Sequence, residues 1–162
     1  MLTAHEIKIV QDSFIKVAPI ADAAATIFYD KLFEIAPEVE PMFSGANMPE
    51  QGKKLMTMIG TAVRGLTNME KLAPAVAQLG QRHVAYGVKK EHFTPVGEAL
   101  IYTLEKGLGD YWNEELKSAW VKTFTVLAET MIAAMEAEPE AIKPTFLEKL
   151  KIFLGIQETK IS

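Results

Sequence analysis

The stretch Leu72-Ala-Pro-Ala-Val-Ala-Gln-Leu-Gly-Gln-Arg-His83 places a histidine at the end of an apolar helical face. Spacings of 4, 3 and 4 put four of its side chains on one side of an α-helix: Leu72, Val76, Leu79 and His83. Gly87 follows four residues later and predicts that the helix ends just past the histidine. An imidazole on this face points inward, where at least one ring nitrogen needs a partner.

Two interpretations of His83 are open at this point. In the first, it is a core histidine whose ring is satisfied by a backbone carbonyl, which is the commoner situation for a buried imidazole. In the second, it is an axial ligand of a metal cofactor, because neutral imidazole is the commonest metal ligand in proteins. The other residues of the same pocket must decide between them.

Size and charge limit the class of protein. The 162 residues suffice for one domain with a real core, and 49% of them are hydrophobic. The net charge of -4, without a basic run, argues against nucleic acid as a partner. No run of about eighteen uncharged apolar residues occurs, so we expect no transmembrane segment.

The chain contains no cysteine. Disulfides, thiolate catalysis, iron–sulfur clusters and thiolate-bound zinc are therefore excluded. Any metal must be held by histidine, carboxylate or a prosthetic group. The first residues have neither the basic segment nor the apolar stretch of a secretory signal, and we expect a cytoplasmic protein.

All readable periodicity is helical, which predicts an all-α fold. Thr3 and Glu6 form a capping box, Pro74 suits the first turn of the helix that carries His83, and Asn113 caps a last long helix. Thr94-Pro95 predicts a further helix start. Helices of unequal length joined by proline corners favour crossed packing over a regular up-down bundle.

Two further expectations concern helix faces and domain limits. In a helix over residues 50–66, the predicted inner face is Leu55, Met58, Ile59, Ala62 and Leu66. We expect one domain over residues 1–138 and a C-terminal extension over residues 139–162. That extension contains a short amphipathic helix with three apolar residues on one face, Phe146, Leu150 and Phe153.

Four segments together resemble a known family, the bacterial single-domain haemoglobins, which are similar to the globin domain of flavohaemoglobins. Residues 79–120 are similar to neuroglobin as well. The resemblance covers about residues 2–135, and both the order and the spacing of the segments agree with the family pattern. The segments are Phe28-Tyr-Asp-Lys-Leu-Phe33, Ala36-Pro-Glu-Val-Glu-Pro-Met-Phe43, Gln51-Gly-Lys-Lys-Leu55, and Leu79-Gly-Gln-Arg-His-Val-Ala-Tyr-Gly-Val88, which continues into His92-Phe-Thr-Pro-Val-Gly97.

The resemblance implies a globin fold with crossed helices around a haem pocket, and haem b (iron protoporphyrin IX) as the cofactor. His83 would bind the haem iron, with its other ring N–H held by the carbonyl of Leu79. Phe43 would pack flat against the porphyrin. Tyr29 and Gln51 would donate hydrogen bonds to the gas ligand on the distal side.

The resemblance also implies roles for residues around the cofactor. Leu55 would limit the size of the gas site, and Lys54 or Arg82 would meet the haem propionates. Without the resemblance, such residues are more often plain core or solvated surface, and His5 and His92 are expected at the surface. The residues implied to line the haem are Leu79, Val88, Phe93, Val96 and Leu127.

Three departures from the family pattern bear on function. Phe93 and Met135 stand where flavohaemoglobins have a tyrosine and a glutamate behind the proximal histidine, although Glu136 lies one residue away. Weaker electron donation by His83 then favours reversible ligand binding over peroxidase-like chemistry. Gln51 replaces the second histidine of neuroglobin, so we expect five-coordinate ferrous haem. The 27 residues after Met135 (162 − 135) are too few for a reductase domain.

The favoured function is therefore reversible binding of dioxygen, for storage, delivery or scavenging, with CO and NO as further ligands. One alternative is an enzyme, a nitric-oxide dioxygenase that works with a separate reductase. Another is a haem-based gas sensor or interaction module that signals through residues 139–162. The sequence favours a binding protein over an enzyme, and it is compatible with a monomer or a homodimer.

Overall fold

A computed structural model describes residues 1–137 of the chain. This part contains six α-helices, four 3₁₀-helices and no strand, which confirms the all-α prediction. The 3₁₀-helices are Ala18–Ile20, Pro37–Phe43, Lys90–His92 and Gly109–Tyr111. The α-helices are α1 (Ala4–Val17), α2 (Ala21–Ile35), α3 (Met48–Gly65), α4 (Met69–Ala85), α5 (Phe93–Leu108) and α6 (Glu114–Glu136).

Side-chain caps start four of the six helices. The Thr3–Glu6 capping box begins α1 as predicted, and the side chain of Asn113 begins α6 by accepting from the Leu116 N–H. Asn47 and Asn68 cap α3 and α4 in the same way. Each asparagine satisfies one backbone donor that the first turn leaves without a partner.

Two helix starts differ from the prediction. Helix α4 begins at Met69, so Pro74 lies inside the helix rather than in its first turn. Helix α5 begins at Phe93, and Thr94 is therefore helical rather than a cap. Pro74 removes one backbone hydrogen bond, but α4 continues because the apolar face of Leu72 and Val76 is buried.

The buried face of α3 also differs from the predicted one. Met58 is 40% exposed, whereas Met56 and Val63 are buried. Leu55 and Ile59 lie at the edge of the core and are half-buried. The helix is thus rotated by a fraction of a turn, so that Gly52 and Gly60 face the neighbouring helices.

The larger part of the core surrounds Trp120 of α6, which is 1% exposed. Its indole N–H donates to the Ser13 hydroxyl over 2.9 Å, and that hydroxyl donates to the Val10 carbonyl over 2.7 Å. This chain of bonds satisfies the polar atom that Trp120 brings into the apolar core. It also fixes α1 against α6, which in turn packs on α4 and α5.

Helices α4 and α6 approach each other closely at Gly80. A Cβ atom on Gly80 would lie 2.5 Å from the Met131 carbonyl oxygen and 2.8 Å from its Cα. Only a residue without a side chain allows this backbone-to-backbone contact. Because Gly80 is three residues from His83, the crossing determines where α4 presents the histidine.

The predicted extension over residues 139–162, with Phe146, Leu150 and Phe153, lies outside the described residues. The predicted domain limit at residue 138 falls next to the last described residue, Ala137.

We expect Gly80→Ala to lower the free energy of unfolding by about 1–3 kcal/mol, because the added methyl group must displace α6 backbone. The matched control is Gly107→Ala near the end of α5, where a Cβ meets only the end of the Ile20 side chain at 3.4 Å. That control should gain about 0.5–1 kcal/mol from a less flexible unfolded chain. Urea denaturation measures both values, and a Gly80→Ala protein as stable as the wild type would contradict the close contact between α4 and α6.

Candidate functional site

Tyr29 of α2 and Gln51 of α3 form a hydrogen-bonded pair. The Gln51 side-chain nitrogen donates to the Tyr29 hydroxyl oxygen over 3.2 Å. The two helices come together next to this pair, since a Cβ on Gly52 would lie 2.8 Å from the Ala25 Cβ. Ala25 is one turn before Tyr29, so this close crossing brings the phenol and the amide within reach of each other.

Aromatic side chains enclose the Tyr29 ring. The centroid of the Phe43 ring lies 5.2 Å from that of Tyr29, with the planes at 67°. Phe33 packs on both rings, at 5.9 and 5.4 Å. Leu55 and Val96 pack against the same hydrophobic cluster. The structure therefore surrounds the Tyr29 ring with apolar side chains, whereas its partner Gln51 is half-buried.

Tyr29 is 6% exposed, and burial raises its pKa above the ordinary value of 10.0. The hydrogen bond from Gln51 acts in the opposite direction and lowers the pKa, but burial is the larger effect. The phenol is therefore neutral near pH 7. Because its oxygen accepts from Gln51, its own O–H is available to donate to a third group.

His83 lies on α4, and a backbone carbonyl of the same helix fixes the orientation of its ring. Its Nδ1 is 2.6 Å from the Leu79 carbonyl oxygen, one turn back along the helix. A carbonyl can only accept, so Nδ1 carries the proton and the neutral ring presents the Nε2 lone pair. This is the donor arrangement that a metal-binding histidine requires. The hydrogen bond is also the one that the family resemblance implied.

None of the five apolar residues that the resemblance implies to line the haem is fully buried. Half-buried apolar side chains leave surface that a flat apolar group can cover. Lys54 and Arg82 have no ion-pair partner among the described residues. The half-buried apolar residues are Leu79, Val88, Phe93, Val96 and Leu127.

The other two histidines have different surroundings. His5 is partnered by Glu115, whose carboxylate oxygen lies 2.7 Å from the ring Nε2. His92 was expected at the surface but is half-buried, and its Nδ1 accepts the Lys89 backbone N–H over 2.9 Å. Neither ring has the carbonyl partner that sets the tautomer of His83.

Sequence reasoning missed two residues that shape the site and one exposed neighbour of His83. Phe33 follows Tyr29 by four residues, so helical spacing could have placed it in the aromatic cluster. Gly52 gave no local signal, because its role depends on which helix crosses α3. Tyr86 lies with its ring at a steep angle to His83, at 6.0 Å between ring centroids.

The structure thus combines a half-buried histidine of fixed tautomer with a hydrogen-bonded pair of Tyr29 and Gln51, in a fold of crossed helices. The family profile described as Globin matches residues 26–131. The chain therefore belongs to the globin family. Membership carries haem binding and the binding of diatomic gases as the general function.

Several individual relatives agree with this assignment. Neuroglobin of Tetraodon nigroviridis is 31% identical, over 65% of this chain and 74% of that protein. A flavohemoprotein of Rhodopirellula baltica is 32% identical over 82% of this chain but only 33% of its own length. A flavohemoprotein of Bacillus subtilis is 29% identical over 65% of this chain and 27% of its length. The chain thus spans about a third or less of these two flavohemoproteins.

Solved structures show the same fold. A bacterial globin from Campylobacter jejuni has a TM-score of 0.73 and 28% identity, covering 83% of this chain and 96% of that one. A structure described as a hexacoordinated heme protein from an anhydrobiotic tardigrade has a TM-score of 0.78 at 17% identity, covering 84% and 96%. Among the described residues, no helix has the length and apolar character needed to cross a membrane.

We expect Gln51→Leu to raise the pKa of Tyr29 further, because the change removes the amide donor but keeps the site apolar. In the wild type, the raised pKa of Tyr29 also makes the free energy of unfolding depend on pH in alkaline solution. Above pH 10 the unfolded chain loses the Tyr29 proton before the folded chain does, so the free energy of unfolding falls as pH rises. Tyr29→Phe should remove this part of the alkaline loss.

Carbon-13 NMR of the tyrosine Cζ atoms in the haem-free protein measures the titration without competition from iron. Urea denaturation between pH 8 and 11 measures the stability. A Tyr29 pKa at or below 10.0 would contradict the geometry described above.

Proposed function

We propose that this globin binds dioxygen reversibly at haem b, with His83 as the iron ligand and Tyr29 and Gln51 as donors to the gas. The observation that supports this most directly is the Gln51–Tyr29 hydrogen bond inside an apolar cluster. The Tyr29 O–H and the second N–H of the Gln51 amide remain available as donors, and the other side chains of the cluster are apolar and offer no acceptor.

Haem would supply the iron atom that binds the gas and gives it partial negative charge. The chain's part is to hold the porphyrin and to stabilise that charge. Phe43 would provide a flat contact, and Leu55 would limit the room beside the gas. The half-buried side chains of Phe93, Val96 and Leu127 would cover the porphyrin faces and edges, and Lys54 or Arg82 would pair with its propionates.

The distal donors suit dioxygen in particular. Tyr29 is neutral near pH 7 and keeps its O–H available, because the Gln51 amide already occupies its oxygen. The second N–H of the Gln51 amide is a further donor. Hydrogen bonds to a charged acceptor are strong where water is excluded, so both residues would slow release of the gas.

The proximal side favours binding over catalysis. The Leu79 carbonyl that polarises His83 is a neutral acceptor, and Phe93, at the position where the resemblance implies a tyrosine in flavohaemoglobins, brings no hydroxyl. A carboxylate partner would draw more strongly on the Nδ1 proton and make His83 a stronger donor. Moderate donation suits reversible binding. Gln51 is also a poor ligand for iron, so the ferrous form should be five-coordinate without gas.

A nitric-oxide dioxygenase is the second candidate, because two of the relatives are flavohemoproteins. Their names denote a flavin, whereas the similarity covers only 27% and 33% of their lengths. Repeated turnover would need electrons supplied by a reductase. The absence of cysteine suits the reducing cytoplasm, where such a partner would act. The sensor alternative depends on residues 139–162, which lie outside the described part.

We expect His83→Ala to abolish stable haem binding and His5→Ala to leave it unchanged, since His5 is exposed and pairs with Glu115. The optical spectrum of the purified proteins measures haem content and coordination. The wild type should show a five-coordinate ferrous spectrum that changes on adding O₂ or CO. Full haem content in His83→Ala, or a six-coordinate ferrous wild type, would overturn the proposed ligand set.

We expect Tyr29→Phe and Gln51→Ala each to speed dioxygen release by roughly 5- to 150-fold, which corresponds to about 1–3 kcal/mol of lost hydrogen bonding. The double variant should lose less than the sum, because the two side chains are bonded to each other. Stopped-flow displacement of O₂ by CO measures the rates. Tyr102→Phe, at a tyrosine whose ring lies beside Lys31 and Lys106 instead, is the matched control and should leave the rate unchanged.

CO release provides a second control, because bound CO takes up little negative charge and gains less from donors. Dioxygen release rates that stay at the wild-type value in both single variants would contradict the distal assignment. The dioxygenase would be favoured if the wild type consumed NO continuously with a reductase and NADH, and if Tyr29→Phe or Gln51→Ala abolished that consumption.

A further inference from the structure

Tyr86 lies at the end of α4, where it connects His83 with the protein surface. Its backbone N–H caps the helix by reaching the Arg82 and His83 carbonyls. Its ring centroid is 6.0 Å from that of His83, with the ring planes at 72°, so the two rings meet edge to face. The residue is nevertheless 63% exposed. The ring thus contacts the histidine on one side and water on the other.

The other three tyrosines do not combine these properties. Tyr29 is buried. Tyr102 has two lysine ammonium groups near its ring, at 4.6 and 5.5 Å from the centroid. Tyr111 is 42% exposed but has the Lys16 ammonium 4.7 Å from its centroid. A nearby positive charge opposes removal of an electron from the ring. Among the described residues, no lysine or arginine occupies such a position at Tyr86.

We propose that Tyr86 is an oxidation site through which the haem-loaded protein passes oxidising equivalents to its surface when it meets hydrogen peroxide. The inference rests on the proposed function, because it requires haem at His83. Without haem at His83, the histidine could not pass an oxidising equivalent to Tyr86.

The overall reaction balances with peroxide as the two-electron oxidant. Each of two Tyr86 phenols, from two copies of the chain, loses one electron and one proton. The two electrons break the O–O bond of one hydrogen peroxide, which takes up the two protons from the phenols and leaves as two waters. The two phenoxyl radicals then form a carbon–carbon bond between their rings, and each ring carbon gives its hydrogen to the phenolic oxygen. Two tyrosines and one peroxide thus give one dityrosine and two waters.

Exposure makes this coupling possible for Tyr86. Its side chain is open enough for the rings of two copies to meet, and water at the exposed hydroxyl can carry the phenolic proton away. The reaction consumes each tyrosine once, so it does not require the fast peroxide cleavage that the proximal side disfavours.

The test treats the full-length, haem-loaded chain with one equivalent of hydrogen peroxide. Denaturing gels and dityrosine fluorescence measure the covalent dimer, electron paramagnetic resonance detects the phenoxyl radical, and peptide mapping locates the bond. Wild type and Tyr111→Phe should both form the dimer. Tyr86→Phe, which keeps the ring and removes only the hydroxyl, should lose it while its haem spectrum stays unchanged.

Several results would overturn the inference. A bond mapped to Tyr102 or Tyr111, or an undiminished dimer in Tyr86→Phe, would exclude Tyr86 as the outlet. Equal cross-linking of the His83→Ala chain in the presence of free haem would show that exposure alone determines the reaction. Normal haem binding without any tyrosine oxidation refutes this inference only, whereas a wild-type chain without haem refutes the proposed function as well.

Discussion

The hydrogen bond from His83 Nδ1 to the Leu79 carbonyl is the interaction on which the site depends. It fixes the tautomer, the orientation of the ring and the nitrogen that faces away from the helix. It exists only because α4 stays helical through residue 83, one turn beyond the carbonyl that accepts the bond. The close contact of Gly80 with Met131 then fixes this turn of α4 against α6.

The two sides of the site use opposite chemistry. On α4 a neutral carbonyl polarises an imidazole, whereas on α2 a phenol lies within an apolar cluster and accepts from a half-buried amide on α3. Burial raises the pKa of Tyr29, so the phenol is neutral near pH 7 and keeps an O–H that it can donate. The same burial that makes a polar pair costly also strengthens any hydrogen bond that the pair donates.

The sequence was sufficient for the features that depend on local periodicity. The face that holds His83, the caps at Thr3 and Asn113 and the all-α fold all follow from spacing and residue type. The Leu79 contact followed from the family resemblance. The face of α3 was predicted less well, because Met58 is exposed. Which side of a helix is buried by a crossing neighbour depends on contacts distant in sequence, and Gly52 meets Ala25 across such a distance.

If the proposals for the two sites hold, the Tyr29–Gln51 pair and the exposed Tyr86 would divide gas binding from electron exchange. Hydrogen bonds to a charged ligand are strong only where water is excluded. Residues that donate them therefore cannot also lie at the protein surface, where a redox partner would make contact. His83 is the one site residue in ring contact with an exposed aromatic side chain among the described residues. With haem bound at His83, the end of α4 would therefore also provide a short route to solvent through Tyr86, on a different helix from the Tyr29–Gln51 pair.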